Sequence, residues 1–347
     1  MHRSSHFLKD LHPYTGPTVF SKTDVTLAFE ETSLQRLLTQ LSDFINDQSL
    51  DFKPHHAISL LSTLLVQPVN KIFFFQLNGI TVLQSLFKLT YLISPDLISC
   101  VSALLLLPKS AEPLLNSSLL SSEVLPLLQS SNPSLKESAI SCISLSLSTA
   151  SRSLDPLILN QVSSFAPPLL LSLDLSLPSP ILSSALCSIS SLTCKLSVSS
   201  SLSPPILLGC TQDCYGVIDL TNKECMEKLC SFLEINEFVE KCLVVFSDLV
   251  KFSIGYNAVL NSNFLKISSK YLATSSLLPV LLPVYAFLSI NINGLEKLVQ
   301  VPEIINFLKN FEKSLACKLV NNPTINNYVD QIIESIFKNE NCKSYFK

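Results

Sequence analysis

The chain has 347 residues, about twice the length of a typical single-domain unit, so it folds as two domains or as one elongated array. Leucine and serine supply 66 and 54 of them, against six glycines and no tryptophan; this excludes hairpin-dense barrels and propellers and leaves no glycine-rich phosphate loop. Twenty-seven acidic and 24 basic residues give a net charge of -3 with no two Lys or Arg adjacent, which argues against a nucleic-acid partner.

Taken in chain order, residues 1–30 lack sustained periodicity and carry Pro13, Gly16 and Pro17, so an extended or disordered arm is expected there. The first residues hold no apolar signal core. With eleven cysteines and one glycosylation sequon at Asn116, this points to reduced thiols in the cytoplasm, with the nucleus as second location. From residue 31 to 347 a single helical array is expected. Pro54 opens a helix around Ala57; residues 70–89 hold a short helix ending at the pair Asn78-Gly79, read as a left-handed cap, and a second with Leu83 and Leu86 on one face.

Residues 97–212 hold 32 Ser and only nine charged residues. Serine is roughly half a kcal/mol per residue poorer than alanine in a helix, so these helices need neighbours to stack on. Cys187 and Cys194, seven apart on one helix face, read as core. Residues 201–216 read as an insertion loop. The uncharged stretch 271–295 is long enough to span a bilayer, but Pro279, Pro283, Asn291 and Asn293 interrupt it, so a membrane-associated protein is the alternative and not the leading reading.

A small or apolar anchor followed by apolar residues at helical spacing recurs at Ala57, Val101, Ala139, Ala185, Cys242, Val284 and Val329. The intervals are 44, 38, 46, 57, 42 and 45 residues, the longest containing the insertion. Prolines at Pro54, Pro95, Pro133, Pro180, Pro279 and Pro323 precede most anchors and mark the start of each long helix, where a missing N–H costs nothing. Val124, Leu125 and Leu128 repeat Val82, Leu83 and Leu86 forty-two residues on.

The runs NGITVLQSLFKL and EVLPLLQSSNPSLKESAISCI resemble the armadillo repeat, with HEAT-like packing as the nearest alternative. The resemblance implies an all-α fold: a right-handed α-solenoid of about seven armadillo-like repeats, each a short helix, a turn and two longer helices. It also implies that the helix after each anchor lines a concave face, with the sixth residue on pointing into it. Those residues are Thr63, Leu107, Leu145, Ser191, Asp248, Ile290 and Ser335. Peptide-binding armadillo proteins place an Asn in that helix to clamp ligand backbone, and importin-alpha adds a Trp ladder; this chain has neither at those positions.

No catalytic or cofactor-binding constellation is present. Cys210, Cys214, Cys225, Cys230 and Cys242 are clustered, but spacers of three, ten and four do not match usual zinc frameworks, and all five histidines precede residue 57. The expected function is a non-enzymatic, monomeric scaffold that needs no cofactor or metal and binds another protein's extended segment or helix. If the array is continuous, a 1–200 fragment is expected to be insoluble or molten on expression. A soluble fragment with a cooperative thermal transition would contradict that.

Overall fold

A computed structural model describes residues 33–47, 52–152, 155–199, 219–315 and 323–346; the expected arm at 1–30 and insertion at 201–216 lie outside the described residues. Among these there are nineteen α-helices and no strand. The first are α1 (Ser33–Asn46), α2 (Pro54–Leu64), α3 (Pro68–Gln76), α4 (Gly79–Lys88), α5 (Pro95–Leu105) and α6 (Pro108–Leu115). A π-turn (Leu120–Val124) and a 3-10 turn (Leu125–Gln129) follow. The middle holds α7 (Pro133–Ala150), α8 (Pro156–Ser163), α9 (Ala166–Ser172) and α10 (Ser179–Ser199). Next come α11 (Lys223–Leu233), α12 (Val239–Leu249), α13 (Ser253–Asn261) and α14 (Phe264–Ser268), which runs into a 3-10 turn at Ser269–Tyr271. The last are α15 (Leu278–Ser289), α16 (Ile292–Val299), α17 (Pro302–Leu315), α18 (Pro323–Lys338) and α19 (Glu340–Phe346).

These helices form three rows. Helices α2, α5, α7, α10, α12, α15 and α18 pack each on the next in that order, and each carries one of the seven anchors. All seven anchors are buried, from Ala57 to Val329. A second row runs α1, α4, the π and 3-10 turns, α9, α11, α14 with its 3-10 turn, and α17. The short helices α3, α6, α8, α13 and α16 take the third position, so the chain repeats short helix, second-row helix, anchor-row helix. This is an all-α solenoid of about seven armadillo-like units, and its core is one continuous apolar seam from Leu34 to Cys342.

Local chemistry explains the helix boundaries. Pro54, Pro95, Pro133 and Pro323 are the first residues of their helices, and Pro180 and Pro279 the second, where fixed φ suits the first turn. Side chains of Ser94, Asn132, Asp155 and Asn222 accept hydrogen bonds from the backbone N–H groups of Leu97, Ser134, Leu157 and Cys225, satisfying donors the helix cannot. Only Asn78 of the Asn78-Gly79 pair is left-handed, at φ 56°; Gly79 opens α4 and is required for space, since a Cβ there would lie 2.4 Å from the Phe74 ring. The stretch matching α4 at Val124 and Leu128 buries those side chains but is not α-helical. Pro126 lacks an N–H and its ring crowds the carbonyl four residues back, so the chain widens into the π-turn and then tightens.

Two further expectations meet the structure here. The uncharged stretch 271–295 is divided among the 3-10 turn, α15 and α16; α15 has 12 residues, about 18 Å of rise against roughly 30 Å of hydrocarbon. No helix among the described residues is long and apolar enough to cross a membrane. Serine is compatible with burial because it bonds its own helix: Ser144, Ser146, Ser172, Ser188 and Ser289 donate to carbonyls three or four residues back.

Polar side chains also join helices of successive units and, at Tyr256, the first and last helices of one unit. Cys100 Sγ donates to Ile58 O (3.8 Å), Thr149 Oγ1 to Leu105 O (3.3 Å), Tyr271 OH to Leu233 O (2.7 Å), Lys297 Nζ to Leu260 O (2.7 Å) and Tyr256 OH to Leu288 O (3.1 Å). The partners are 32 to 44 residues apart, about one repeat, and most acceptors are carbonyls near helix C-termini that lack partners within their own helix. Where α13 and α16 cross the ends of the preceding anchor-row helices, backbone meets backbone. A Cβ on Gly255 or Gly294 would lie 2.1 Å from the carbonyl oxygen of Leu249 or Leu288. Gly255→Ala and Gly294→Ala are therefore each expected to destabilise the fold by about 1–3 kcal/mol in urea titration followed by circular dichroism. Wild-type midpoints for both would show that these crossings are looser than described.

Candidate functional site

The anchor-row helices present their outer turns to solvent, and the seven residues expected to line a binding face fall on this row at unequal levels. Thr63 and Ser191 are exposed in α2 and α10; Ser335 and Leu145 are half-buried in α18 and α7. Leu107 and Ile290 lie just beyond α5 and α15, in the turns leading to α6 and α16, and Ile290 is 55% exposed. Asp248 departs from the expectation: it is 3% exposed, and its carboxylate pairs with Lys251 at 2.5 Å, so it faces the core at the end of α12. The cause is register. The anchor-row helices run from 11 to 21 residues, so a fixed offset from the anchor reaches mid-helix in one unit and a terminal turn in another.

The exposed hydroxyls share one chemistry. Thr63, Ser191 and Ser335 each donate to the carbonyl four residues back, to Ser59, Cys187 and Gln331. Their lone pairs remain available to a ligand's donors while the side chains stay ordered against the helix.

Two concavities involve these residues. A groove of about 450 Å³ at the C-terminal end brings Ile290 and Ser335 together with Ile292, Lys338 and Glu340. A cleft of about 480 Å³ opens among α5, α6, α7 and α8, and Leu145 is on its wall. Sequence reading did not find this cleft, because its walls come from residues 105 to 158 and only the packing of four helices assembles them. The signal that could have pointed to it is charge: Glu112, Arg152 and Asp155, three of the nine charged residues in 97–212, all line it.

The cysteines divide by environment. Cys142, Cys225, Cys230 and Cys242 are buried, and loss of hydration raises their thiols, Cys225 to about 11 and Cys142 and Cys242 to about 12. Cys187 and Cys194, read from sequence as core, are exposed instead: they share the solvent face of α10 with Ser191, while Ala185, Leu186, Ile189 and Leu192 turn inward. Cys210 and Cys214 lie outside the described residues. Among the described residues no three His, Cys, Asp or Glu side chains gather as metal ligands, and His55 and His56 are exposed on the first turn of α2.

No family model and no curated protein matches the chain. Among solved structures it is similar to an engineered protein at TM-score 0.53 and 11% identity, over 76% of this chain and 97% of that one. That likeness shows the fold alone. A designed armadillo repeat protein in complex with the peptide (KR)4 is similar at TM-score 0.36 and 13% identity, over 88% of this chain and 99% of that one. A structure described by a phosphorylation switch controlling the interaction between cadherin and beta-catenin gives 0.35 and 14%, over 87% of this chain and 69% of that one. The armadillo-like helical-repeat fold rests on the chain's own stacking of three-helix units.

Thiol chemistry should follow the burial. At pH 8 the raised thiols are protonated and shielded, so iodoacetamide with peptide mapping is expected to modify Cys187 and Cys194 within minutes and to reach Cys142 and Cys242 only after urea is added. Equal labelling of all four in the native protein would mean that α7 and α12 do not bury these thiols.

Proposed function

We propose that the chain is a non-enzymatic scaffold that binds an extended segment or a helix of another protein along the exposed side of the anchor row. It does so as a monomer in the cytoplasm, with the nucleus as second location. The observation that carries this reading is the unbroken stacking of seven anchor-row helices, which turns separate units into one long surface. Thr63, Leu145, Ser191, Ile290 and Ser335 lie along it, with Leu107 at the turn into α6. Asp248 serves packing at the end of α12 rather than contact.

The surface over α2, α5, α7 and α10 is poor in charge, so away from the few charged side chains binding there rests on apolar contact and hydroxyl hydrogen bonds and depends little on salt. Affinity capture from the native cell identifies the partner, and the purified pair then allows the test. Ser191→Arg adds a charge that must be desolvated in the interface while leaving an exposed helix position intact, so affinity is expected to fall by about tenfold or more with helicity unchanged. Unchanged affinity would remove the anchor row from the proposal.

A further inference from the structure

The cleft among α5, α6, α7 and α8 combines an apolar floor with charged side chains of both signs, Glu112, Arg152 and Asp155. Leu105, Ala111, Leu115 and Ile158 form the floor and are almost wholly buried. Leu106, 65% exposed, and half-buried Leu145 also line the cleft. Thr149 Oγ1 donates to Leu105 O and fixes α7 against α5, so the walls are held before any ligand arrives. The volume, about 480 Å³, is within the range of roughly 300–1,000 Å³ typical of ligand pockets.

The charges differ in what they are already doing. Asp155 caps α8, accepting from Leu157 N at 2.9 Å. Glu112 on α6 and Arg152 after α7 are both exposed and make no ion pair with one another or with any other described residue. In a surface this poor in charge, an unpaired arginine and an unpaired glutamate beside an exposed leucine, with Asp155 engaged at the end of α8, are complementary to a ligand that brings both signs and something apolar. Interfaces concentrate their energy in such arrangements, with a large side chain seated in a pocket and charged contacts at the rim.

We propose that this cleft is the anchor pocket for a short segment of a partner protein. The segment inserts one large apolar side chain, of leucine or phenylalanine size, and carries a carboxylate on the side facing Arg152 and a cationic side chain on the side facing Glu112. The proposal rests on the scaffold reading and deepens it, by naming where the partner is gripped and by what chemistry. The floor holds the apolar side chain, and Arg152 and Glu112 add to the affinity and set direction, because a segment entering the other way meets like charges at both.

The test uses fluorescein-labelled nonapeptides with a central leucine or phenylalanine, an aspartate two residues to one side and a lysine two residues to the other, in both orders. Fluorescence anisotropy against the full chain should show saturable binding for one order, weaker by at least tenfold for the other and absent when the central residue is glycine. Leu106→Asp and Arg152→Glu alter exposed side chains and should each lower affinity at least tenfold with unchanged circular dichroism. The exchange Glu112→Arg with Arg152→Glu should reverse the preferred order. No saturable binding by any peptide, or binding indifferent to both Leu106→Asp and Arg152→Glu, would overturn the proposal. If an identified partner loses affinity with Ser191→Arg but not with Leu106→Asp, the cleft falls and the scaffold reading stands. Concentration-dependent self-association in sedimentation that Leu106→Asp abolishes would make a second copy the occupant and likewise overturn it.

Discussion

Each unit of this chain covers its apolar face with the next unit, and everything else depends on that stacking. Helices such as α7 and α10 are built largely from leucine and serine, with little intrinsic helix preference, and would not persist alone. Packed in the anchor row, Ile140, Cys142, Ile143 and Leu147 of α7 and Leu182, Ala185, Leu186 and Ile189 of α10 are fully enclosed. Burial of each large aliphatic side chain contributes roughly 1.5–3 kcal/mol, enough to outweigh the serines' helix penalty. Stability is thus a property of neighbouring units together and not of any one of them.

Serine makes a second contribution once the stacking exists. A hydroxyl that donates to its own helix can be buried without leaving a polar group unsatisfied, as Ser146 and Ser172 do, and can line a surface without adding charge, as Thr63 and Ser191 do. The same residue type therefore serves interior and surface. The few charges left in the middle third acquire weight from their scarcity, and three of them meet at the cleft holding Leu145. Between units, tyrosine, threonine and lysine side chains reach carbonyls near the ends of helices in adjoining units, and Gly255 and Gly294 let the short helices approach closely enough for that to happen.

What the sequence determined by itself was the period and its punctuation. The seven anchors, the prolines that open the long helices and the three-helix order are local signals, set by helical spacing, fixed proline φ and capping side chains, and the structure has them at those positions. What only the tertiary structure decided was which face of each helix is covered. Cys187 and Cys194 have the spacing of a core pair, yet they are exposed because α7 and α12 pack on the other side of α10. Asp248 is buried in the last turn of α12, the end that α13 crosses, and the six-residue offset reaches different levels because the helices differ in length. The cleft was illegible for the same reason. Glu112 and Arg152 are forty residues apart, and what brings them to one apolar floor is the packing of neighbouring units, a long-range contact that no local pattern of residues encodes.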